Sequence, residues 1–131
     1  FFAEVGIEKA KRMIDALLEA NASGDLAVIG FSVGATVAWL ESANPAVKSV
    51  IGVYGSRIRD YLDVVPLADT RLLFCTERAF DVKAILPTLN AKSRVAARMI
   101  EGVHGFYSRE DFASPAIRDL NAAILALLNR R

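Results

Sequence analysis

Two hydrophobic patterns alternate along this chain of 131 residues. Apolar residues spaced three and four positions apart predict amphipathic helices, whereas short continuous apolar runs predict parallel strands buried on both faces. In chain order these patterns predict a helix up to "NASGD", strand "LAVIGF", helix "VGATVAWLESA", strands "VKSVIGVYG" and "TRLLFCT", helix "DVKAILPTLNA", strand "SRVAARMI" and a helix from Ser114. This order predicts an α/β fold, in which right-handed crossovers join the strands of a mostly parallel sheet flanked by helices.

The two terminal helices have the clearest patterns. In the first, Ala10, Met13, Ile14, Leu17 and Leu18 are predicted to form one buried face. The last has Ser114 as N-cap and Pro115 at its first position. Pro87 is expected to bend the helix that contains it.

Composition and charge narrow the function classes. The chain is 53% hydrophobic and 24% charged with a net charge of +1, which fits a folded domain and argues against a nucleic-acid partner. No apolar run approaches the ~20 residues of a membrane helix, so no membrane partner is expected. The single cysteine excludes an internal disulfide and predicts a reducing, cytoplasmic location. Trp39, Phe74 and Cys75 are predicted core residues, the last an inert thiol.

The strand-to-helix junction at Ser32 has the pattern G-x-S-x-G. Such a turn lifts a serine hydroxyl above the sheet in a strained conformation, with the Val33 N–H directed at an oxyanion. Gly30 and Gly34 are then expected to be required, because a side chain at either position would strike the strand or the helix. The alternative is that small residues merely allow close packing.

His104 is the only histidine of the chain. It follows Ser32 and precedes the last predicted helix, so its position fits a catalytic triad whose members occur along the chain in the order nucleophile, acid, histidine. For the acid, Glu77 and Asp81 are both available after the third strand, and Asp81 is preferred by a small margin. The alternatives are an Asp81 that caps the next helix and a Glu77 that pairs with Arg78. One histidine and one cysteine cannot supply an ordinary zinc site, so no metal is expected.

Four stretches, "VIGFSVGATVAW", "VYGSRIRDY", "LLFCTERAFDV" and "VHGFYSREDF", resemble the dienelactone hydrolase family of the α/β-hydrolase superfamily. The resemblance implies cofactor-free hydrolysis of a small-molecule ester or lactone, with Ser32 as nucleophile and His104 as base. The best-known members have cysteine where this chain has Ser32, and Ala79 occupies the usual place of the acid. Arg109 is the candidate for holding a substrate carboxylate, and Tyr54, Phe106 and Tyr107 are candidates for the pocket wall or for packing.

The fold implied by the resemblance has further strands before the nucleophile strand. Residues 1–131 are therefore expected to form a single α/β-hydrolase-like domain corresponding to the C-terminal part of that fold. A complete chain of this length would lack the second oxyanion donor and be a poor hydrolase, or would need a partner chain over its strand edge, as in a homo-oligomer. Two rival functions are a catalytically degenerate relative that binds a ligand or protein, and a flavodoxin-like module that binds an anion at the Ser32 turn.

Overall fold

A four-stranded parallel sheet with strand order β1-β2-β3-β4 forms the centre of the computed structural model. The structure describes residues 2–21, 25–78, 80–103 and 115–129. The strands are β1 (Leu26–Phe31), β2 (Val47–Val53), β3 (Asp69–Thr76) and β4 (Val95–Val103); the helices are α1 (Phe2–Ala20), α2 (Val33–Glu41), α3 (Val82–Asn90) and α4 (Pro115–Asn129), with a short 3-10 helix, η1 (Ile58–Asp60). The predicted α/β class and the order of the elements are confirmed.

Side chains of β3 divide the core into two layers because successive residues of a strand point to opposite faces. Leu72 and Phe74 pack with Trp39 of α2 and with residues of α3, whereas Leu73 and Cys75 pack with Ile117 of α4. The Trp39 indole N–H also donates to the Tyr61 carbonyl at 2.8 Å, which fixes the segment after η1 against α2. The predicted core positions Trp39, Phe74 and Cys75 are confirmed.

The prediction that β1 is buried on both faces is wrong. Ile29 is 40% exposed, and most of the other β1 side chains are only half-buried. The physical reason is the position of β1 at the edge of the sheet, where β2 is its one pairing partner among the described strands. A continuous apolar run indicates a strand but not its place in the sheet.

The predicted buried face of α1 is partly wrong. Ile7 and Leu18 are buried and Ile14 is half-buried, but Met13 is 66% and Leu17 is 59% exposed. Leu18 and Ile14 pack into the cluster that contains Ala38 of α2. The contact surface of α1 over its described side chains is therefore a narrow stripe, and Met13 and Leu17 point outward.

The free edge of β4 is partly closed by a side chain. Asn90, the last residue of α3, donates to the Ala97 carbonyl at 2.9 Å and accepts from the Ala97 N–H at 2.8 Å. These two bonds replace a strand partner at one residue of the edge. Helix α3 continues through Pro87 to this asparagine. None of the described helices is both long and apolar enough for a transmembrane span.

Candidate active site

The parallel strands bring three candidate positions to the same edge of the sheet, because all strands end there. Ser32 follows β1, Tyr54 follows β2 and Glu77 follows β3. Residues Phe31 and Val53 are register partners, so Ser32 and Tyr54 leave adjacent strands side by side. Ligands of open α/β sheets bind beyond this edge.

Ser32 has the strained backbone conformation that the sequence predicts. Its φ is 58° and its ψ is −122°, values that an L-residue rarely adopts. Hydrogen bonds hold the turn from both sides: the Ser32 N–H donates to the Val53 carbonyl at 2.9 Å, and the Ser32 carbonyl accepts from the Ala35 N–H at 3.0 Å. The backbone of Ser32 therefore forms hydrogen bonds both to the end of β2 and to the first helical turn of α2.

The two glycines of the motif differ in their roles. A Cβ on Gly30 would lie 2.1 Å from the Gly34 carbonyl oxygen, a distance that no side chain tolerates. The requirement for glycine at position 30 is confirmed. A Cβ on Gly34 would meet no atom of the described residues within 4 Å, so the requirement predicted for Gly34 is wrong. Position 34 lies in the first turn of α2, where an added Cβ would point away from the other described residues.

The N-terminus of α2 provides a favourable electrostatic environment beside Ser32. Val33 is the first helical residue and is 54% exposed. Its N–H has no acceptor among the described residues, as expected for the first turn of a helix. No acidic residue lies in that turn. Together with the helix dipole, this free N–H can stabilise a negative charge that develops near Ser32.

The two acid candidates have different surroundings. The Asp81 carboxylate accepts from the Lys83 N–H at 3.1 Å and is the N-cap of α3, which confirms the capping interpretation. Glu77 is half-buried directly after β3. Participation of either carboxylate in catalysis stays a prediction.

His104, Phe106, Tyr107 and Arg109, together with Ala79, lie outside the described residues. The last described residue before His104 is Val103, at the end of β4, where it is in register with Thr76 of β3. The roles predicted for these four side chains stay predictions.

Tyr54 is a core residue with an unusual backbone. It is buried in the cluster beneath α4, with its ring centroid 6.0 Å from that of Phe31, so the packing interpretation is confirmed. Its φ of 40° is positive, which no sequence signal indicates. Nearby, burial and to a lesser degree the charge of Glu77 raise the pKa of the Cys75 thiol to about 11, which keeps it protonated and unreactive.

A cavity that the sequence does not indicate opens at this edge between β3, β4 and α3. Its volume is about 450 Å³, and its lining residues are Thr76, Glu77, Phe80, Asp81, Val82, Lys83 and Met99. The Arg59 guanidinium lies 4.6 Å from the centre of the Phe80 ring and so connects η1 to the wall of this cavity. The volume falls in the range of small-molecule sites. Within the described ranges, no group of three His, Cys, Asp or Glu side chains could hold a metal ion.

No family model matches the chain. The chain is similar to the uncharacterized protein YczH of Bacillus subtilis, with 36% identity over an alignment of 103 residues and a coverage of 76% of this chain. The match covers 51% of YczH, so the chain spans about half the length of this curated relative.

Proposed function

We propose that this chain is a cytoplasmic hydrolase of the dienelactone hydrolase type, which cleaves a carboxylic ester or a lactone with Ser32 as nucleophile. One observation carries the proposal: Ser32 has a positive φ at a strand-to-helix turn on the carboxyl edge of a parallel sheet. A turn that only allowed close packing could have glycine at its centre, whereas a nucleophile requires a side chain there in spite of the strain. The resemblance of "GFSVGA" and "VHGF" to that family supports the same function.

In the proposed mechanism, His104 accepts the Ser32 proton while the serine oxygen attacks the substrate carbonyl carbon. The Val33 N–H donates to the oxyanion of the tetrahedral intermediate. The intermediate collapses to an acyl-enzyme, and the alkoxide leaving group takes the proton from His104. Water then attacks the acyl carbon with His104 as base, which releases the carboxylic acid and restores the Ser32 hydroxyl.

The sequence offers two candidates for the carboxylate that orients His104, and these candidates have different surroundings in the structure. The capping bond engages the Asp81 carboxylate with the backbone of α3. Both side chains line the cavity at the sheet edge, but Glu77 lies directly after β3 and is not the N-cap of α3. These observations favour Glu77 as the acid.

Steady-state hydrolysis of short p-nitrophenyl esters and of small lactones tests the proposal. We expect Ser32→Ala and His104→Ala each to lower kcat/KM by on the order of 1000-fold or more, because they remove groups that act together in the transition state. Ser56→Ala, at a half-buried serine that follows β2, is the matched control and should keep wild-type rates. Equal rates in wild type and Ser32→Ala would refute the proposal.

A catalytically degenerate relative that binds a ligand or a protein is the second candidate. The observation in its favour is the helix-capping role of Asp81, together with Ala79 at the usual place of the family acid. A folded wild-type protein that hydrolyses none of the esters and lactones would support this candidate.

A further inference from the structure

Glu41, the last residue of α2, is a fully buried carboxyl group away from the candidate active site. Its exposed fraction is 0%, and neither of its carboxyl oxygens has a hydrogen-bond partner among the described residues. Ser32 precedes the first residue of α2, whereas Glu41 lies at the opposite end of the same helix. A buried carboxylate without hydrogen bonds is costly, and therefore its protonation state and its charged neighbours decide whether this packing is stable.

The charged groups that face Glu41 come from α1. The nearest is the Lys11 ammonium, whose Nζ lies 3.6 Å from Glu41 Oε1. The same Lys11 Nζ also lies 2.9 Å from Oδ2 of Asp15, which is one helical turn further along α1. Asn44, in the loop after α2, is a neutral polar neighbour that, like Lys11, lowers the pKa of Glu41. Lys11 thus forms ion pairs with two carboxyl groups, those of Asp15 and Glu41, where α1 packs against α2.

This arrangement favours a proton on Glu41. Burial, and then the neighbouring Asp15, raise the pKa of Glu41 to about 7 from the ordinary value of 4.5, and the charge of Lys11 only partly opposes them. Burial also acts on Asp15, but its contacts with Glu41 and Lys11 outweigh that effect and lower the Asp15 pKa. Asp15 therefore carries the negative charge of the cluster, and Glu41 carries the proton.

We propose that α1 is held against α2 by the protonated carboxyl group of Glu41, and that α1 loosens as the pH rises through neutrality. Ionised Glu41 would be a second negative charge beside Asp15, in a contact that has one lysine to neutralise both. Loosening of α1 withdraws Leu18 and Ile14 from their cluster with Ala38 and uncovers Leu26 and Val28 of β1. This loosening thus controls how well the face of β1 that carries Leu26 and Val28 is covered.

The sign follows from the direction of the Glu41 shift. A carboxyl group whose pKa is higher in the folded state binds its proton more tightly there, so folding is favoured at low pH. Its contribution is complete below about pH 4.5, falls as the pH rises, and levels off above about pH 7.

Hydrogen exchange of the α1 amides, corrected for intrinsic exchange rates, measures this contribution. Between about pH 5.5 and about pH 8 we expect protection of α1 in the wild type to fall about 30-fold, the ratio that linkage gives for a pKa of 4.5 moved to about 7. Glu41→Gln should abolish the fall, because glutamine does not ionise. Glu19→Gln, at an exposed glutamate of α1, is the matched control and should keep the wild-type fall. Constant wild-type protection, or an equal fall in Glu41→Gln, would overturn the proposal.

Two neighbouring variants test the same cluster without altering Glu41. Lys11→Met removes the opposing positive charge and should move the midpoint of the fall to higher pH. Asp15→Asn removes the neighbouring negative charge and should move the midpoint to lower pH. Opposite shifts support the proposal, whereas midpoints that stay at the wild-type pH in both variants would contradict it, even if Glu41→Gln did not fold.

Discussion

At the scale of single residues, the turn at Ser32 requires a backbone conformation that L-residues rarely adopt. Ser32 and Tyr54 are the described non-glycine residues with positive φ, and they leave adjacent strands at the same edge. Each such conformation costs about 1–3 kcal/mol. Gly30 makes the turn possible by letting the first turn of α2 approach the end of β1. The sequence motif predicts this strain at Ser32, because a sharp strand-to-helix turn requires glycine two residues before its centre.

The two glycines give the first prediction. Gly30→Ala should lower the free energy of unfolding by about 3 kcal/mol, since its Cβ would collide with the Gly34 carbonyl. Gly34→Ala should raise it by about 0.5–1 kcal/mol, because alanine is favoured over glycine in a helix and the space is open. Urea denaturation measures both values. Similar destabilisation by the two substitutions would contradict the steric account of Gly30.

At the scale of elements, the sequence predicts what depends on local pattern and misses what depends on neighbours. The order of strands and helices follows from spacing and turn residues, and it is confirmed. The exposure of Ile29 and Met13 is not predictable in this way, because it is set by which elements pack against β1 and α1. Asp81 illustrates the same limit within the candidate site. A carboxylate before a helix suits both capping and catalysis, and its contact with Lys83 becomes visible only in the structure.

The cap at Asp81 can be separated from the catalytic acid. Asp81→Ala should cost about 1 kcal/mol of stability through loss of the N-cap, whereas Asp81→Ser should keep the cap and the stability. If Glu77 orients His104, Asp81→Ser should also keep kcat, and Glu77→Gln should lower it by about 100-fold or more. Thermal unfolding and ester hydrolysis give the two readouts. Loss of turnover in Asp81→Ser, with Glu77→Gln unaffected, would reassign the acid to Asp81.

At the scale of the whole molecule, β2 and β3 form a shielded centre between two different edges. Residues 72–75 of β3 are buried on both faces, whereas the β1 edge is half-exposed and the β4 edge is closed at Ala97 by Asn90. Helices α2 and α3 cover one face of β3, and α4 covers the other. Opening of this centre therefore requires separation of the layers rather than movement of a loop.

Cys75 reports on that opening. The thiol is buried and its pKa is raised to about 11, so iodoacetamide should not modify it in the native protein. Modification should follow the urea unfolding transition, with the same midpoint as loss of helical circular dichroism. Rapid modification of the native protein would show that β3 is accessible and would contradict the layered packing.

Covalent labelling by a fluorophosphonate probe tests most directly whether Ser32 is an activated nucleophile. Peptide mass spectrometry of the labelled native protein should find the phosphonyl group on Ser32, and labelling should disappear in Ser32→Ala and fall sharply in His104→Ala. Urea-unfolded protein should not react, because the activating geometry is lost. A natively folded protein that leaves Ser32 unmodified, or that is labelled equally well without His104, would contradict the account.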